Sequence, residues 1–129
     1  MNKIIIEVSI GELLDKISIL EIKQEKIKDL EKLKFIKNEH FILNKELNDN
    51  VRIDEKVKQL FESLKEINRK LWIIEDGKRQ CEKDKNFGEI FIKLSRDVHF
   101  LNDKRAKIKL EINNYTGSNI KEIKEYTNY

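Results

Sequence analysis

The stretch IDEKVKQLFESLKEINRKLWIIEDGKRQCE, Ile53 to Glu82, decides the fold. Within it Ile53, Val57, Leu60, Leu64, Ile67, Leu71, Ile74 and Cys81 fall on spacings of four and three, with only Lys78 out of step. Residues so spaced share one face of an α-helix, and charged residues fill the positions between them. The spacing predicts an amphipathic helix over about 53–84 carrying a heptad-like seam. Trp72 and Ile73 widen that seam in its second half, where a third element should touch it.

The same period runs outward in both directions. Upstream, Leu13, Ile17, Leu20, Ile27, Leu30, Leu33, Ile36, Leu43 and Leu47 predict a first helix over about 10–48, interrupted at Gln24 and His40. At 1.5 Å per residue it would be about 57 Å long, enough to bend or break near those interruptions. Asn48, Asp49 and Asn50 supply the turn that ends it. Ser9 with Glu12 three residues on reads as a capping box opening it. Before that, Lys3 to Val8 alternates β-branched residues and reads as a short N-terminal extended segment that needs a pairing partner. Downstream, Phe87, Phe91, Leu94, Val98, Leu101, Ile108 and Ile112 predict a third helix over about 87–115, which Gly117 would end at its C′ position. Asn119 with Glu122 resembles a second capping box, opening a short C-terminal helix from Ile120 to Tyr126.

Composition agrees with an all-α reading: 40% of the 129 residues are charged, 39% are hydrophobic, there is no proline and there are four glycines. The length suits a single helical domain over 1–129, and short connections make neighbouring helices antiparallel. Long helices with narrow seams bury little in a three-helix monomer, so a homodimeric bundle is expected.

The 27 lysines and arginines against 24 aspartates and glutamates are interleaved along the chain, and lysine outnumbers arginine 22 to 5. That pattern suits solvated helix faces and argues against a nucleic-acid surface. The strongest basic run, Lys104 to Lys109, has acidic neighbours and lacks interleaved aromatic residues for stacking on bases. A single cysteine, Cys81, permits no intrachain disulfide and fits a reducing cytoplasm, where it reads as an inert seam residue. The apolar trio Ile4 to Ile6 is too short for a signal peptide or a membrane span, so no integral membrane contact is expected.

The chief misfit is Arg105, which stands on the third helix's seam where an apolar residue belongs. A guanidinium cannot shed its charge, so burial demands a carboxylate or an anionic ligand. Asn102, Arg105, Lys109 and Asn113 follow at spacings of three, four and four and can share one flank, a row able to hold a carboxylate or phosphate. The plainer reading pairs Arg105 with Glu75, Asp76 or Glu21 to fix helix register. Asp15, Lys16 and Glu21, near the start of the first helix, are the groups expected to meet the end of the third. His40 and His99 stand apart from any cysteine or carboxylate cluster, and no glycine-rich phosphate loop is present, so neither a metal nor a cofactor is expected.

Three stretches carry a family resemblance: VSIGELLDKISILEIK at Val8 to Lys23, NRKLWIIED at Asn68 to Asp76, and FIKLSRDVHFLNDKRAKIKLEINNYTGSNIKEIKEY at Phe91 to Tyr126. Together they resemble a family of small uncharacterised bacterial and phage-borne proteins known as a domain of unknown function. The resemblance implies no established reaction. It draws attention to Ser9, Gly11, Glu12, Asp15, Lys16, Glu21, Trp72, Glu75, Asn102, Arg105, Lys109, Asn113, Gly117, Ser118 and Tyr126, and suggests a setting beside surface-polysaccharide metabolism. The chain departs from the family pattern at Lys124 and Thr127. The segment LLDKISILEIKQEKI, Leu13 to Ile27, is also similar to the opening helix of the all-helical chorismate mutases, which implies a dicarboxylate held by cations, although this segment has no arginine.

These readings converge on a helical accessory protein that binds a protein partner or a small anionic molecule. The alternative is an enzyme acting on a small anionic substrate in an interhelical pocket, with Arg105 and Lys109 holding the substrate and Glu75 or Asp15 moving a proton.

Overall fold

The computed structural model of the protein describes residues 2–129. It is an all-α bundle of four helices behind a short N-terminal extension: α1 (Ile10–Lys26), α2 (Leu30–Asn50), α3 (Glu55–Lys83) and α4 (Glu89–Thr116). The expected first helix is therefore two. Its break falls at Ile27–Asp29, between the polar interruptions rather than at either of them. Ile27 turns extended, and the Asp29 side chain accepts from the N–H groups of Glu31 and Lys32 at 2.9 and 3.1 Å. An aspartate so placed starts a new helix at little cost, and sequence period alone cannot separate that from continuation.

The expected helices over 53–84 and 87–115 appear as α3 and α4, opened by Asp54, whose side chain accepts from the Val57 N–H, and by Gly88. Gly117 ends α4 in the left-handed conformation, as its position implied. The expected C-terminal helix is not formed. Residues 118–129 carry no helix, and the side chains of the supposed capping box go elsewhere, Asn119 to Glu7 and Glu122 to Lys109. A seven-residue helix gains too little to nucleate by itself, and long-range partners prevail. The tail instead lies back on α4, where the Tyr129 ring meets His99 and Phe100 edge-on and its hydroxyl contacts Asp103. Residues 2–9 form no strand, and Ile4, Ile5 and Ile6 are exposed.

Helix α1 packs against each of the other three, α3 also packs against α4, and α2 packs on α1. The core joins Leu13, Leu14 and Ile17 of α1 to Leu47 of α2, Val57, Leu60 and Leu64 of α3, and Ile112 of α4. Full burial of each such side chain is worth roughly 1.5–3 kcal/mol. The seam of α3 differs from its expected line at one place: Asn68 is buried and Ile67 is only partly so.

The start of α3 meets the end of α4, through Tyr115 to Asp54 and Lys56 to Glu111, while Gly77 lies against Leu94 farther along. With 29 and 28 residues, α3 and α4 run about 43 and 42 Å, against about 25 Å for the 17 residues of α1. The pair therefore continues beyond α1 as an arm. From Ile73 to Leu101 its only fully buried side chains are Ile74 and Cys81.

Candidate functional site

Helix α1 is seated on the end of α4 through its first turn. The four N–H groups that begin a helix have no partner within it. Here Ile10 N–H donates to Ser118 Oγ at 3.0 Å, Gly11 N–H to Asn113 Oδ1 at 2.7 Å, Glu12 N–H to Ser9 Oγ at 3.1 Å, and Leu13 N–H to the Ser9 carbonyl at 3.1 Å. Ser9 caps as expected, but Glu12 does not reach back to complete the box; its carboxylate is taken by Lys109. Gly11 allows the approach, since a Cβ there would stand 2.5 Å from the Lys109 carbonyl oxygen.

One turn on, Asp15 is 2% exposed and nearly saturated. It accepts from Arg105 Nε at 3.0 Å and Nη2 at 2.5 Å, and from Asn68 Nδ2 at 2.8 Å. Asn68 also donates to Ser18 Oγ, which donates in turn to the Asp15 carbonyl. Lys109 stands beside this group, 2.7 Å from Glu12, 3.2 Å from Glu122 and 3.9 Å from the Asp15 carboxylate. The hydrogen bonds to Asp15 hold the Arg105 pKa above its ordinary value against the effect of burial. Burial acts to lower the pKa of Lys109, but the bond to Glu12 and the charges of Asp15 and Glu12 outweigh it, and the net shift is upward. The bond from Lys109 keeps the Glu122 pKa below the usual carboxylate range.

Arg105 also forms part of the wall of an open cleft of about 390 Å³ where α1 leaves the α3–α4 pair. The apolar surface of the cleft comes from Ile19 and Ile22 of α1 with Leu71 and Trp72 of α3. Glu75, Asp76 and Arg79 stand at its charged side, and Arg79 donates to Glu75 at 3.0 Å.

The structure thus brings Asp15, Arg105 and Lys109 together and places Glu75 in the cleft that Arg105 borders. The expected pairing of Arg105 with Glu75, Asp76 or Glu21 is replaced by Asp15, which lies across from it on α1. Glu21 belongs to a second cluster, where it accepts from Lys65 at 2.9 Å and meets His40 Nε2 at 3.1 Å, tying α1 to α2 and α3. Lys16 is exposed, and the Asn102 side chain makes no hydrogen bond with the described residues. Asn68 and Ser18 were not anticipated. Asn68 does stand four residues after Leu64 and three before Leu71, a seam spacing that signals a buried amide once Ile67 is set aside. Ser18 gives no comparable signal. Asp15 is too enclosed by its donors to reach a substrate, whereas Glu75 is open at the cleft. Among the described residues no group of three or more His, Cys, Asp or Glu side chains is placed to hold a metal ion, and no helix is long and apolar enough to cross a membrane.

Fold and site together define the class: a four-helix protein with a buried ionic cluster at one end of its longest helix pair and a bare arm at the other. Over residues 4–129 the chain matches the profile described as Family of unknown function (DUF6165), and it belongs to that family. Searches among curated proteins and among solved structures return no match.

Proposed function

We propose that this protein works as a helical interaction module, a cytoplasmic accessory protein that pairs with a second copy of itself through the α3–α4 arm. The observation that carries this reading is the half-covered seam. Between Ile73 and Leu101 the two amphipathic helices pack chiefly on each other, with Tyr129 against His99 and Phe100, and leave Ile73 58%, Ile90 63% and Ile92 54% exposed. Ile90 and Ile92, two residues apart, stand on different sides of α4, so the arm offers apolar side chains to solvent on more than one side, which supports an interaction role. A second arm would complete a coiled-coil-like bundle of four helices, a closed and self-complementary arrangement. Charge favours the same partner. The arm carries six basic and six acidic side chains, so the chain's net +3 lies wholly outside it and two arms meet without net repulsion.

The alternative, an enzyme holding a small anionic substrate with Arg105 and Lys109, has less support. Lys109 is already closed on Glu12 and Glu122, Arg105 gives two of its three nitrogens to Asp15, and the two cations do not converge on one open site. A setting beside surface-polysaccharide metabolism, which the family resemblance suggests, belongs to this proposal as context only.

Sedimentation equilibrium across a wide concentration range tests the reading. Dimers are expected, and Ile73→Lys with Ile90→Lys should give monomers of unchanged helicity. A protein that stays monomeric at every concentration, or a dimer indifferent to both substitutions, overturns it.

A further inference from the structure

The cleft beside Arg105 is built by one chain and needs no second copy, so what it binds goes beyond the pairing of arms. Arg105 commits Nε and Nη2 to Asp15, and among the described residues Nη1 has no partner. No buried side-chain nitrogen or oxygen among the described residues lacks a hydrogen bond, so Nη1 must reach solvent. The guanidinium is 29% exposed yet fixed from behind by Asp15, itself held by Asn68. A donor so restrained loses little freedom when it binds.

The charges around the cleft select the ligand. Two cations, Arg79 and Arg105, are balanced by Glu75 and Asp76, and Asp15 stands behind Arg105. A simple anion would gain Arg105 but meet Asp15 and Asp76; a simple cation would meet the reverse. Glu75 is only partly engaged, with one oxygen on Arg79 and the other 4.0 Å from Lys78, and Asp76 makes no ion pair among the described residues. The geometry points to a zwitterion: we propose that this cleft binds a free α-amino acid with a large aliphatic or aromatic side chain. Its carboxylate would accept from Arg105 Nη1, its ammonium would donate to Asp76 or Glu75, and its side chain would lie against Ile22, Leu71 and Trp72. The volume of about 390 Å³ falls at the small end of the range for ligand sites, about 300–1,000 Å³, as a molecule of that size requires.

The test is a two-dimensional amide NMR titration of the full chain with leucine and with phenylalanine at millimolar concentration, alongside N-acetyl-leucine and leucine amide. Saturable shifts of the Trp72 indole N–H and of the Ile22 and Leu71 amides are expected with the free amino acids. Blocking either charged end should weaken binding about tenfold or more, the loss of one charge-assisted hydrogen bond. Glu75→Gln with Asp76→Asn, both at the open side of the cleft, should do the same without altering the melt, and Arg105→Lys keeps a charge for Asp15 while removing Nη1. Absence of shifts at Trp72, or equal binding of blocked and free forms, overturns the proposal. Sedimentation of the same samples scores arm pairing separately, so failure of one reading is distinguishable from failure of the other.

Discussion

Where α4 ends, Asp15, Asn68, Lys109 and Asn113 are buried and each has its partners; in the arm, Ile73, Ile90 and Ile92 are exposed and have none. The same two helices build both regions, so the difference comes from what lies on them. At the first, α1 is pressed close enough that α4 must offer it hydrogen bonds. At the second, beyond α1, these three isoleucines stay in contact with water. Burying polar groups with exact partners confers a single geometry at little net gain in energy, whereas leaving apolar groups bare keeps a driving force in reserve for association.

The largest test of this contrast removes a partner from the buried end. Arg105→Ala leaves the Asp15 carboxylate enclosed with the Asn68 amide as its remaining side-chain donor and Lys109 3.9 Å away, and denaturant unfolding should show a loss of about 3 kcal/mol. Gly11→Ala comes next: the added methyl meets the Lys109 carbonyl at 2.5 Å, α1 must shift off α4, and about 2 kcal/mol should be lost. A smaller effect should follow pH. The Glu122 pKa is lowered on folding, so its contribution is complete above the ordinary value of about 4.3 and lost as pH falls through the lower folded one. The Lys109 pKa is raised, so its contribution is complete below about 10.4 and lost as pH rises through the higher folded one. Thermal melts should be flat between those limits, and Glu122→Gln should remove part of the acid limb, on the order of 0.5 kcal/mol. Least of all, Ile90→Lys should change monomer stability by no more than about 0.5 kcal/mol, because the side chain has little contact to lose. A large loss there would mean that the arm is covered within the chain, and the contrast would fail.

Much of this was legible before any coordinates. The period from Val57 to Cys81 places α3, the seam position of Arg105 marks a partly buried, carboxylate-paired cation, and Ser9 and Gly117 mark two helix ends. The partner of Arg105 is not legible: Glu75, Asp76 and Glu21 are the acids its position suggests, whereas Asp15 is expected only near the end of α4, and packing turns it inward while Lys16, its neighbour, faces water. Glu21 differs from Asp15 in lying nearer Lys65 than Arg105. The break at Asp29 escaped because apolar spacing continues across it, and the terminal helix was misread because Glu122 has a better partner in Lys109 than in its own backbone. In each case local pattern was overruled by a contact distant in sequence.

The stitching of α1's first turn to residues 113 and 118 bears on how the chain comes off the ribosome. Those hydrogen bonds join positions 102 and 108 apart in sequence. Helix α1 therefore emerges before its partners, its opening amides waiting until residues 113 and 118 have been released. The α3–α4 hairpin closes over a short connection and can form as soon as it is extruded, with its apolar face already bare. The arm proposed to pair is thus formed before the base that α1 completes.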